Sequence, residues 1–289
     1  MSIANKEIFK KNLKLIEIEI FSFCNRKCWF CPNSFIDRHS ENKIMPEEVY
    51  LDLINQLAEI KYSGELAYNR YNEPLSQKDL FLKRVRQARA ALPNAILRTN
   101  TNGDYVTREY IEELCDVGFD RLFIQQYLSN NEKYNHEKMR ARCEKKIKKL
   151  GLSAIVLTDI SDYKLEYDIS HRDMTIHIRS RNFDLDGSSR GDTIDLANDY
   201  VRTQKCLQVT NNMYIDYNGS VMVCCALRSD VPDHASGIMG QIKNKRLWDI
   251  YADKNYKPWR DHHKYDGPKE GVCKTCKDSV QQDWKKENK

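Results

Sequence analysis

Three cysteines fall close together in the run Cys24-Asn25-Arg26-Lys27-Cys28-Trp29-Phe30-Cys31-Pro32. Three thiolates leave one corner of a tetrahedral site open, so this loop cannot close a structural zinc site by itself. A 4Fe–4S cluster held by three cysteines keeps one iron free for a substrate or cofactor. Chemistry at an open iron is therefore the expectation for this loop.

A second group, Cys206, Cys224, Cys273 and Cys276, has the spacing C-x17-C-x48-C-x2-C. Four thiolates can close a site completely. Tetrahedral zinc and a fully ligated 4Fe–4S cluster share this ligand set, and spacing alone leaves both open. Cys225, beside Cys224, is a packed thiol, an accessory ligand or a hydrogen-atom donor. Cys115 and Cys143 fall on expected helices and read as ordinary core or surface thiols.

These loops need a scaffold, and the first half of the chain supplies one by alternating strand and helix signals. Strands are expected at 15–20, 65–71, 95–100, 121–128, 154–157 and 174–179, with helices at 46–60, 78–91, 107–117 and 132–150. Such alternation implies βαβ units around a parallel sheet, with ligands at the carboxyl ends of the strands. The cysteine loop follows the first strand directly and so sits at that edge. After Gly187 the texture changes to a loop, a hairpin at 214–223 around Asn218-Gly219, and a short helix from Leu247. Division into a core at 10–185 and a small second domain at 186–289 is expected. The second unit is too poor in apolar residues to fold without a metal centre.

The chain has 289 residues, 31% charged, with 47 basic against 42 acidic side chains, a surplus of +5 mixed in sign along the sequence. That balance excludes a nucleic-acid footprint and suits a polar or anionic small molecule. No stretch has the apolar length of a membrane span and no apolar segment follows Met1, so a cytoplasmic protein with reduced thiols is expected. Several strands carry polar residues where a core would be apolar: Asn69 or Arg70, Arg98 or Asn100, Gln125 or Gln126, His177 or Arg179. Arg70 and Gln126 are taken as substrate candidates. An interior Arg70 requires a carboxylate or phosphate, supplied by the protein or by a substrate such as a nucleotide sugar.

The loop resembles the CxxxCxxC signature of radical S-adenosylmethionine (SAM) enzymes, including the aromatic Phe30 before the last cysteine. That resemblance implies an α/β fold with a partial (β/α)6 parallel barrel as core. It also implies that Cys24, Cys28 and Cys31 hold a 4Fe–4S cluster, that SAM chelates the open iron, and that cleavage yields a 5′-deoxyadenosyl radical. Tyr71-Asn72-Glu73-Pro74 is similar to the GGEP element that meets the SAM amino group. Phe30, Asn72, Glu73 and Asn102 are accordingly cofactor-binding candidates. The second cysteine group resembles the twitch form of the SPASM extension, a small β-hairpin plus helix domain in which Cys206, Cys224, Cys273 and Cys276 hold a second, auxiliary 4Fe–4S cluster.

Within the twitch group the chain is similar to dehydrogenases that oxidise an aminocyclitol hydroxyl. The likeness rests on Ile16-Glu17-Ile18-Glu19, Cys31-Pro32-Asn33-Ser34, Glu73-Pro74-Leu75, Thr101-Asn102-Gly103-Asp104 and Arg190-Gly191. It implies that Arg190 is catalytic, contacting the substrate hydroxyl. Cys225-Ala226-Leu227 departs from the cyclitol-lining residues of that group. The expected activity is oxidation of a hydroxyl on a sugar, cyclitol or nucleotide sugar, with the electron passed to the auxiliary cluster and a reductant such as flavodoxin or ferredoxin starting the cycle. The alternative is a peptide maturase that cross-links or epimerises residues. Such enzymes carry a leader-binding domain before the core, and the short segment preceding the first strand favours the small-molecule reading.

Overall fold

A computed structural model describes residues 3–130, 132–196 and 200–278. Residues 279–289 of the expected second domain lie outside these. Ten strands form one mixed sheet: β1 (Leu15–Ile18), β2 (Glu65–Ala67), β3 (Ile96–Thr101), β4 (Arg121–Gln125), β5 (Ile155–Ile160), β6 (Lys164–His171), β7 (Met174–Arg181), β8 (Asn212–Ile215), β9 (Ser220–Met222) and β10 (Ile238–Gln241). Their order across the sheet is β10-β9-β8-β1-β2-β3-β4-β7-β6-β5. The strands from β8 through β1, β2, β3 and β4 to β7 run parallel to their neighbours.

Helices Glu47–Glu59, Lys78–Ala91 and Arg108–Asp116 connect β1 to β4, the crossover that parallel pairing requires. Their ends are marked locally. Thr107 caps one by accepting from the Tyr110 amide, and Asn135 caps His136–Leu150 by accepting from Lys138. Gly151 closes that last helix in the left-handed conformation, where a β-carbon is costly. Each helix buries one apolar stripe, such as Tyr50, Leu53, Ile54 and Leu57 on the first of them.

The region after residue 150 differs from simple βα alternation. The expected strand at 154–157 is present as β5, but as an antiparallel edge strand on which Ile155, Val156 and Leu157 are 67%, 53% and 55% exposed. A short turn returns the chain as β6, which pairs antiparallel with β7. The sixth parallel strand is instead β8, the first strand of the C-terminal hairpin, seated beside β1 with Ile16 opposite Met213.

Strand parity divides the sheet into two chemistries. On β3, Leu97, Thr99 and Thr101 are buried under the helices, while Arg98 and Asn100 take the opposite face. On β7, Ile176 and Ile178 share the first face, and His177, Arg179 and Arg181 the second. The lower part of this second face is filled by its own residues: Arg98 Nε lies 2.5 Å from Glu65 Oε2, and His177 stacks on Phe123 at 4.6 Å. Only the carboxyl-end part remains open.

A buried ion pair ties the hairpin to the core. The Arg70 side chain, fully buried, places Nε 2.6 Å from Asp216 Oδ1, and its terminal nitrogen donates to the Leu227 carbonyl. Removing one partner strands the other charge in a dry site. Asp216→Ala should therefore cost about 3–5 kcal/mol in denaturant unfolding, whereas Arg70→Met with Asp216→Leu should recover most of it. A loss equally large in the double variant would show that the charges are not the cause.

Candidate active site

The open end of the polar face is a cavity of about 300 Å³. Cys24, Cys28 and Cys31 stand on its wall, in the loop that follows β1. Phe30, Asn72, Glu73, Asn102, Arg70 and Arg190 line the same space. Gln126 does not: on β4 the cavity side belongs to Arg121, Phe123 and Gln125, so Gln125 takes the place expected of Gln126. Asn69, Asn100 and Arg179 also line the cavity, while Arg98 and His177 stay below it.

Long-range bonds fix the cysteine loop. Asn25 and Arg26 both donate to the Asp104 carboxylate, the arginine through Nε at 2.8 Å and a second nitrogen at 2.5 Å. Asn102 Nδ2 donates to Asn25 Oδ1 at 2.7 Å, and Asn130 reaches the Lys27 carbonyl. Phe30 stacks on Phe183 with ring centroids 3.7 Å apart and ring planes nearly parallel. Burial, and then the neighbouring thiols, push Cys28 up to about 12, while burial lifts Cys24 to about 11. These are protonated thiols that lose protons on taking a metal cluster. Among the described residues no three cysteine, histidine or acidic side chains converge tightly enough to grip a single ion.

The Asn72-Glu73 pair shows how a cofactor could be received. Glu73 accepts from Thr101 Oγ1 at 2.6 Å and from the Asn102 and Leu75 amides, yet burial still raises its carboxyl to about 7. Asn72 Oδ1 accepts from the Arg70 amide, while its Nδ2 is buried with no hydrogen-bond partner among the described residues. An orphaned donor beside a buried carboxyl, on the wall that carries three thiols, is a receptor for a polar and partly cationic group.

Arg190 has a left-handed backbone (φ 48°), and its guanidinium makes no hydrogen bond to any described residue. Burial works against its charge, but Asp278, Tyr71 and Cys225 outweigh that and raise its pKa. It is a donor, never a base.

Cys206, Cys224, Cys273 and Cys276 line a second, smaller cavity together with Arg202 and His263. All ten cysteines are free thiols. Burial lifts Cys273 to about 11 and Cys276 to about 12, with other thiols of the group adding to the effect. Cys225 and Asp278 line both cavities, with the Cys225 thiol 3.7 Å from Asp278 Oδ2. Cys115 and Cys143 line neither. The shared wall is invisible to spacing rules, because Asp278 lies 53 residues from Cys225.

The Radical SAM superfamily profile matches residues 18–153, and an iron-sulfur cluster-binding (SPASM) domain profile matches residues 206–277. Residues 18–153 thus carry a radical SAM domain and residues 206–277 a SPASM domain. The radical SAM domain binds a 4Fe–4S cluster with SAM, and the SPASM domain an auxiliary iron-sulfur cluster. An iron-sulfur cluster-binding match over residues 206–277 supports iron over zinc for the domain that contains the second cysteine group. The chain is 30% identical over 151 residues to the SAM-dependent 2-deoxy-scyllo-inosamine dehydrogenase of Niallia circulans, covering 52% of this chain and 60% of that relative. Its fold resembles the crystal structure of BtrN in complex with AdoMet and 2-DOIA, with a TM-score of 0.65, 23% identity, and coverage of 93% of this chain and 95% of the other. It also resembles BtrN in an open conformation, with a TM-score of 0.62, 21% identity, and coverage of 94% and 95%. No described helix is long and apolar enough to cross a membrane.

Proposed function

We propose that this radical SAM protein oxidises a hydroxyl of a polar cyclic substrate, a cyclitol, sugar or nucleotide sugar, to the carbonyl. The observation that carries this reading is the shared wall: one layer, Cys225 and Asp278, separates the polar cavity from the four-cysteine cavity. A substrate bound in the first is then within short electron-transfer reach of the second.

In this reading residues 10–185 are the core and 186–289 the auxiliary-cluster domain. Cys24, Cys28 and Cys31 hold the SAM-binding cluster, and Cys206, Cys224, Cys273 and Cys276 the auxiliary one. When bound, these groups supply a 5′-deoxyadenosyl radical to take a hydrogen atom and a sink for one electron. The chain's own residues do the rest. Asn72 and Glu73 receive the SAM amino group, with Phe30 and Asn102 beside it. Asn69, Asn100, Gln125 and Arg179 offer hydrogen bonds to several hydroxyls, which orients one carbinol carbon and excludes water. Arg190 donates to the oxygen whose proton is lost. Arg70 contributes less than its charge suggests, since Asp216 already neutralises it. The free thiols fit the reducing cytoplasm, and a flavodoxin or ferredoxin fits the one-electron demand.

The test is anaerobic incubation of the iron-reconstituted protein with SAM, a one-electron reductant and cyclitols deuterated at each carbinol carbon, beginning with 2-deoxy-scyllo-inosamine. One carbonyl product per 5′-deoxyadenosine is expected, with deuterium in the latter. Transfer of deuterium with recovery of an epimer at the substrate's oxidation level would overturn oxidation.

A further inference from the structure

Two buried cations flank the auxiliary cysteines. Arg202 is 1% exposed and Lys269 is 4% exposed. Arg202 spends its donors on carbonyls: Nε on Gln204, one terminal nitrogen on Lys205, the other on Cys276 and on Asp278 at 2.6 Å. That last nitrogen also lies 3.8 Å from the Cys276 Sγ. Lys269 Nζ donates to the His262 and Tyr265 carbonyls, and its amide to the Arg202 carbonyl. Among the described residues neither cation has an acidic side chain at ion-pair distance. Asp278 is the nearest acid on the cavity wall, but its carboxylate accepts from Ser188 and Cys225.

Carbonyl dipoles satisfy donors and leave the charge itself unbalanced. A buried cation without a counter-charge is among the costliest things a fold can contain. Two of them, adjacent and both without acids, call for an anion at that place. A fully ligated 4Fe–4S cluster with its four thiolates carries a net charge of about −2 in its oxidised state and one more negative charge when reduced.

We propose that Arg202 and Lys269 are the counter-charges of the auxiliary cluster, and that by favouring its more negative, reduced state they raise its potential and fit it to accept an electron. This rests on the assignment of that cluster to Cys206, Cys224, Cys273 and Cys276. Arg202 and Lys269 act through the cluster and touch no substrate.

The test uses the full chain with Cys24, Cys28 and Cys31 replaced by alanine, so that only the auxiliary cluster gives a signal. Iron is counted first, and the midpoint potential is then read by EPR-monitored redox titration. Arg202→Gln should lower the equilibrium constant for reduction about tenfold, equivalent to 59 mV for a one-electron couple. Lys269→Gln should shift it in the same direction, and Arg202→Lys, which keeps the charge, should hold the midpoint near the parent's. An unchanged midpoint in Arg202→Gln with its iron intact would overturn the proposal. So would an equal drop in Arg202→Lys, which would assign the effect to the planar fork. Should Arg202→Gln fail to hold iron, an unchanged midpoint in Lys269→Gln overturns it. Absence of iron from the parent would refute the cluster assignment instead.

Discussion

Replacing Cys24, Cys28 and Cys31 together with alanine should remove about half of the bound iron, from about eight atoms to about four, and abolish SAM cleavage. The expectation follows from the separation of the two thiol sets. Cys24, Cys28 and Cys31 stand on the wall of the large cavity and the other four around the small one, with no cysteine from either set serving the other. The three side chains are half-buried and lie outside the apolar core, so little packing is lost. What holds the loop is independent of sulfur: the Asp104 clamp on Asn25 and Arg26, Asn102 on Asn25, and Asn130 on Lys27. The variant should therefore stay folded by circular dichroism. Iron and sulfide analysis with chromatography of 5′-deoxyadenosine measures the outcome. Release of 5′-deoxyadenosine by a folded triple variant would move SAM chemistry away from this loop.

The features legible in the sequence were those encoded over short distances. A cluster motif needs only a few consecutive residues, and the helix Lys78–Ala91 carries its own periodicity, so both are readable locally. Parity on β4 was not, because Leu122, Phe123 and Ile124 are all apolar and either phase of alternation fits. The polar pair that follows can then be assigned to the cavity in two ways, and it is Gln125, not Gln126, that lines it. β6 carries the same alternation, Lys164, Glu166 and Asp168 against buried Leu165, Tyr167 and Ile169, but its antiparallel return to β7 breaks the βαβ order that the preceding elements set. The placement of β8 as the sixth parallel strand depends on pairing with β1, nearly two hundred residues earlier. Asp216 as the partner of Arg70, and Asp278 as part of the wall, are likewise long-range facts. The counter-charge question for Arg202 arises only once its burial is known.

Arg190→Lys should cut carbonyl product formation about a hundredfold while leaving SAM binding and uncoupled 5′-deoxyadenosine release within about threefold of the parent, the scale expected when one preorganised donor to a developing oxyanion is lost. Three features of the site lead there. Arg190 lines the cavity within electrostatic reach of Cys31 on one side and of Cys225 and Asp278 on the other, and so stands between the radical end and the electron-accepting end. Its loop is held rigidly: the following Gly191 gives its carbonyl to His234 Nε2 at 2.7 Å, and a β-carbon there would come within 2.6 Å of that ring. Lysine meets the same backbone at the same left-handed position and keeps the positive charge, so fold and electrostatic field are conserved while the planar fork is lost. A role in charge balance alone would survive the change, whereas a role in aiming N–H donors at one substrate oxygen would not. Product and 5′-deoxyadenosine are measured in the same reaction, and SAM affinity by equilibrium dialysis. Loss of SAM binding in Arg190→Lys would place this residue in the cofactor site, and the developing oxyanion would then need a different hydrogen-bond donor, of which Asn100 and Arg179 line the same cavity.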